Sequence, residues 1–311
     1  MFYAQVQVLR GNYQEAFDIF DSASPQPDQR TSLMAQFYAI SGKTLALLRV
    51  GRFGEALQIV KAAKESAAKN GNDPWLFDLR EAWLRILALD FEGARRICEM
   101  MMSPKSDSPT AKLAKGLARV ADGYAALDDH EYEVAMDYFK QACDPDVTPK
   151  FFAHRIWRMT AQLGLMDTWL QMEDIAKASH EADVFLKSAL GAADPHLQAL
   201  AWELKTRVAM AQKDWVAAGK YIEQALAIVE KFEVQVAAWQ VHATAWCLYQ
   251  QANENSKAEM HRASSEQSIL KIANSFDNDE PLREIFLSAR PVAQILGARL
   301  NAPDTQRYKL A

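Results

Sequence analysis

The chain has 311 residues, a net charge of −5 and half its residues in the hydrophobic class. That composition supplies a large buried core and lacks the basic excess of a nucleic-acid module. Only 12 Gly and 11 Pro are spread along it, which favours helix over sheet. The three cysteines, Cys98, Cys143 and Cys247, are far apart and form no C-x-x-C pair, so neither a disulfide framework nor a thiolate metal site is expected. Met1 to Phe17 has no signal-peptide layout, and no apolar run approaches the roughly 20 residues that span a bilayer. The expectation is a soluble chain in a reducing, cytoplasmic setting.

Along the chain one string keeps returning. GNYQEAFDIF (11–20) recurs in form as GRFGEALQIV (51–60), LDFEGARRIC (89–98), HEYEVAMDYF (130–139), EDIAKASHEA (173–182) and KDWVAAGKYI (213–222), with a degraded copy NENSKAEMHR (253–262). An apolar anchor precedes a small residue by three: Tyr13/Ala16, Phe53/Ala56, Phe91/Ala94, Tyr132/Ala135, Ile175/Ala178 and Trp215/Ala218. In the seventh copy Asn255 replaces the anchor before Ala258, and successive anchors lie 40, 38, 41, 43, 40 and 40 residues apart. Spacings of four then three, as in Ala16, Phe20, Ala23 or Ala135, Phe139, Ala142, put small and large side chains on one helix face. These are the B helices, expected to start near 13, 53, 91, 131, 174, 214 and 256.

Between them lies a second set, the A helices. Asp73-Pro74, Ser108-Pro109, Thr148-Pro149 and Asp194-Pro195 each pair a capping side chain with proline at a first helical position. A-helix starts are expected near 31, 74, 109, 149, 195 and 234. Twelve residues before the B-helix alanine stand Ala4, Thr44, Ala82, Gly123 and Thr206, a slot for close approach of A to B. Each pair cannot bury its face alone, so stacked pairs share a core.

The B-helix pattern, aromatic-x-x-Ala followed by a large residue and a second alanine, resembles the tetratricopeptide repeat over about residues 1 to 275. The period is nearer 40 than the 34 of that family, and the A helices lack most of its Trp/Leu/Tyr pattern. The long period is similar to MalT-type helical regions of bacterial signalling ATPases, kinases and transcription activators. This resemblance implies an all-α, right-handed superhelical solenoid of about seven antiparallel helix pairs. It implies units anchored near 13, 53, 91, 132, 175, 215 and 255, and a concave groove lined by A helices. Residues 276–303 read as a C-terminal helical cap with helix starts at Pro281 and Pro291 and apolar stripes Leu282, Ile285, Phe286, Ala289 and Val292, Ile295, Leu296, Leu300; 304–311 read as a loose tail. The short first A helix reads as the continuation of an upstream segment.

Chemical motifs are weighed against this frame. Gly42-Lys43-Thr44 ends like a phosphate loop, but position 37, where the first glycine belongs, is Phe37, and no strand precedes it. The six histidines show no H-x-x-x-H pair, and no nucleophile elbow or dinucleotide loop occurs, so no catalytic residue, metal or cofactor is expected. Seven of the eight Trp fall in A helices and read as core, with Trp215 a packing anchor. Basic residues outnumber acidic ones in the A helices, most densely at Lys112, Lys115, Arg119, His154, Arg155 and Arg158. The expected function is a non-catalytic scaffold or regulatory region binding a protein or peptide partner, acidic in character, in the groove. The alternative is a sensor domain in which a small molecule or short peptide controls an attached effector.

Overall fold

The structure, a computed structural model, describes residues 2–22, 33–102, 109–144 and 152–297. Among the described residues every regular element is a helix, sixteen in all. The chain divides into two compact units, Met1–Ala56 with Ser179–Ala311 and Leu57–Ala178.

The first unit holds α1 (Phe2–Leu9), α2 (Tyr13–Ser22), α3 (Leu33–Arg49) and the start of α4 (Phe53–Lys69). It also holds most of α10 (Ile175–Ala192), then α11 (Pro195–Ala211), α12 (Trp215–Lys231), α13 (Gln235–Gln251), α14 (Asn255–Ala273), α15 (Pro281–Ser288) and α16 (Arg290–Gly297). The second unit holds the rest of α4, then α5 (Trp75–Leu87), α6 (Phe91–Met101), α7 (Pro109–Asp128), α8 (Tyr132–Cys143) and α9 (Phe152–Gln171). B helices thus begin within a residue of their expected starts. The expected A-helix starts near 31 and 149 fall outside the described residues, as do the capping residues Ser108 and Thr148.

One turn is used seven times. Gly11, Gly51, Leu89, His130, Glu173, Lys213 and Asn253 each stand two residues before a B helix, with φ between 55° and 85° at each. In each turn the next residue donates its amide five residues back, as Asn12 to Gln7, Arg52 to Leu47, Asp90 to Arg85 and Asp214 to Ala209 do, at 2.8 to 2.9 Å. This is the Schellman ending, which satisfies the last carbonyls of the A helix. Leu89, Glu173 and Lys213 carry side chains that disfavour the left-handed region, so at these turns the repeat imposes the conformation against local preference. Side-chain caps add to it: Asp90 accepts from the Gly93 amide and Asp214 from the Ala217 amide.

The alanines after the turns, Ala16, Ala56, Ala94, Ala135, Ala178 and Ala218, have no exposed surface. Their large partners sit in equivalent places. Phe20 packs over Gly42, where an added Cβ would come within 2.4 Å of its ring, and Phe139 packs over Gly164, where an added Cβ would come within 2.3 Å. Gly42 and Gly164 each stand fourteen residues before a B-helix alanine, Ala56 and Ala178. The large anchors vary more. Tyr13 and Phe53 are buried, and Phe91, Tyr132 and Ile175 are half-buried. Trp215, expected as a packing anchor, leaves 47 % of its surface exposed. It opens α12, and the buried Ala218 one turn later carries the close contact instead.

The suspected phosphate loop is interior helix. Gly42 lies beneath Phe20, Lys43 pairs with Asp21 at 2.5 Å, and Thr44 is fully buried.

In the first unit the start of α4 meets the stretch that follows α14. The Phe53 and Phe276 rings meet edge to face at 6.0 Å, and the Gly54 amide donates to the Ser275 hydroxyl. At the C-terminus, α15 and α16 pack on each other and on α14, burying Leu282, Phe286, Val292 and Ile295. Ile285, expected in that stripe, is 36 % exposed, and Leu300 lies outside the described residues.

Candidate functional site

The predicted basic positions fall on α7 and α9, which contact each other in the second unit. Lys112, Lys115 and Arg119 follow one another at spacings of three and four, so they share one face of α7. Lys115 is exposed, while Lys112 and Arg119 are half-buried. Arg119 donates to Asp122 at 3.2 Å, and its guanidinium lies 5.2 Å from the centre of the Tyr138 ring of α8. Burial raises the Asp122 carboxyl above its ordinary range, although Arg119 and Arg95 act against it. Arg158 is exposed on α9, and the Cys143 thiol approaches its carbonyl at 4.0 Å. His154 and Arg155 lie on the first turn of α9, with side chains outside the described set.

Helix α11 of the first unit treats charge differently. Glu203, Lys205 and Arg207 of α11 are all less than a tenth exposed. Thr244 of α13 donates to Glu203 at 2.5 Å, Arg207 lies 3.8 Å from the same carboxylate, and Lys205 reaches Asp183 at 2.6 Å. Arg49, at the end of α3, meets Asp194 at 3.2 Å with both side chains almost wholly buried. Asp194 also accepts from the His196 amide as the cap of α11. Burial, and then Arg49, holds the His196 imidazole well below its usual range, so it is neutral at pH 7. Burial raises the Tyr13 hydroxyl, which sits near the same charges.

Sequence reasoning missed one pair. His242 of α13 and His261 of α14 face each other with Nδ1 atoms 3.1 Å apart, and Tyr249 stacks on His261. The ring centres are 5.3 Å apart, so the two nitrogens lie nearly on the line between them. That is the geometry of a shared N–H···N hydrogen bond, in which one ring donates and the other accepts. Burial, then His261, lowers His242 to about 4, and burial followed by Lys257 lowers His261. The two stand nineteen residues apart on separate helices, beyond any local spacing rule. Among the described residues no group of three or more His, Cys, Asp or Glu is placed to hold a metal.

Burial pushes the Cys98 and Cys247 thiols up to about 12, so neither is a thiolate nucleophile near pH 7. No helix among the described residues is long and apolar enough to cross a membrane.

No family model matches the sequence, and no curated protein matches it. Among solved structures, the apo form of RapI is similar over 98 % of this chain and 82 % of that one, with a TM-score of 0.41 and 12 % sequence identity.

Proposed function

We propose that the chain is a tetratricopeptide-like, non-catalytic interaction protein, a scaffold or regulatory region that takes a protein or peptide partner of acidic character on the A helices of its second unit. In this reading residues 1–275 form a right-handed superhelix of seven helix pairs, 276–303 cap it, and 304–311 trail. The repeated turn and the repeated Phe-over-Gly contact support the array. The observation that carries the function is the exposure of Lys115 and Arg158 on contacting A helices, while the charges Glu203, Lys205 and Arg207 of the A helix α11 are buried. Exposed like charges on one surface attract a complementary partner and steer its approach.

The test combines partner capture with titration of an acidic peptide, using wild type and the Lys115→Glu/Arg158→Glu chain. Both substitutions are at exposed positions and leave the fold intact. The reading expects capture to be lost and acidic-peptide affinity to fall about tenfold or more. Undiminished capture and affinity in the double variant would contradict it.

A further inference from the structure

Arg80 on α5 is 5 % exposed and Trp83, one turn later, is 1 % exposed. The guanidinium carbon lies 5.3 Å from the centre of the Trp83 ring. Among the described residues neither the Arg80 Nε–H nor the Trp83 Nε1–H has an acceptor. The carboxylates of this stretch are committed elsewhere. Lys64 takes Asp78 and Glu81, both at 2.7 Å, and Arg85 takes Glu81 at 3.0 Å and Asp90 at 2.6 Å. Asp90 also accepts from the Gly93 amide.

A guanidinium does not shed its proton at neutral pH, so Arg80 stays charged. Burial alone draws its pKa down to about 10, with no carboxylate opposing. The indole face offsets part of that cost. Arg49, as deeply buried in the first unit, has its Asp194. Among the described residues these two buried donors lack the same thing, an acceptor, and one that carries negative charge would also offset the guanidinium.

We propose that Arg80 and Trp83 form a binding site for a carboxylate, which accepts from both donors and neutralises the guanidinium. A carboxylate carries one negative charge and balances one cation; a phosphate dianion would leave a second charge buried and unpaired. The carboxylate belongs either to a small organic acid or to a peptide. The site does not depend on the α7–α9 surface.

The test is thermal unfolding of the full chain at constant ionic strength, in chloride, acetate or inorganic phosphate, and with acetyl-tetraalanine as free acid or as amide. Wild type is expected to gain Tm with a carboxylate over chloride, because only the folded state binds it. Response to acetate marks a small acid, and response to the free-acid peptide alone marks a peptide; both support the site. Arg80→Met is expected to raise Tm in chloride, by removing an unpaired buried charge, and to weaken carboxylate affinity roughly 30-fold or more. Trp83→Phe keeps an aromatic face but removes the N–H donor, and is expected to bind more weakly than wild type with the fold retained. An Arg80→Met chain that fails to fold, or that responds to carboxylates as wild type does, would overturn the proposal. So would a larger response to phosphate than to acetate or the peptide acid.

Discussion

Helix α11 of the first unit and helices α7 and α9 of the second use one repeat to opposite ends. In α11 charged side chains are turned inward and consumed by partners of the same chain, as Glu203 is by Thr244 of α13 and by Arg207. In α7 and α9 the equivalent helices keep Lys115 and Arg158 at the surface. Small residues set the spacing in both units, Thr206 in one and Gly123 in the other. What differs is where the remaining faces of the A helices go, and the 40-residue period leaves that free.

The sharpest way to break the contrast is to remove one half of a buried pair. Asp194→Ala strands Arg49 without its counter-charge and removes the cap of α11. A loss of about 3–5 kcal/mol is expected by denaturant titration. Arg158→Ala, at the exposed surface of α9, is expected to change stability by about 0.5 kcal/mol or less. Similar losses in both variants would erase the distinction.

Acid separates the units next. The folded first unit keeps His196, His242 and His261 neutral, whereas the unfolded chain gains their protons near 6.5. Stability is therefore full above pH 6.5 and drains as pH falls toward 4. The slope is about 1.4 kcal/mol per pH unit for each histidine that stays neutral. In the second unit burial raises Glu81, but Lys64 and Arg85 outweigh it and hold the carboxyl below 4.5. That contribution is present above 4.5 and is lost only below it. Thermal melts against pH, repeated with His196→Phe, are expected to show a shallower decline between pH 6.5 and 4 in the variant.

Much of this architecture was legible. Ala16 through Ala218 set the B helices in register, and Asp194-Pro195 marked a start that the structure keeps. Less was legible where contacts cross long stretches of chain. Arg49 and Asp194 are 145 residues apart, and neither carries a local sign of its partner. The turn residues were hidden too. Glycine announces the left-handed conformation only at Gly11 and Gly51, while Leu89, Glu173 and Lys213 adopt it without a favourable side chain. The α7–α9 cluster was legible as a group of charges, yet only burial separates the exposed Lys115 from Arg119, which is engaged by Asp122 and Tyr138.

Smaller effects sharpen the shared part of the comparison. Alanine at Gly42 or Gly164 pushes against Phe20 or Phe139, and a cost of about 1–3 kcal/mol is expected for each. Gly164→Ala is the costlier, because Gly123 confines Phe139 from a second helix. Lys213→Gly works in the other direction. The exposed lysine sits at φ 60°, and glycine there is expected to raise stability by about 0.5–1 kcal/mol in the same denaturant titration. No gain would mean that the turn is unstrained.

Residue-resolved labelling of lysine amines tests the central claim most directly. Lys115 on α7 and Lys205 on α11 are both A-helix lysines, one exposed and the other 8 % exposed and bound to Asp183. The account predicts fast labelling of Lys115, slow labelling of Lys205, and protection of Lys115 when an acidic partner is bound. Equal labelling of the two lysines in the free protein would contradict it, as would a bound partner that leaves Lys115 fully reactive.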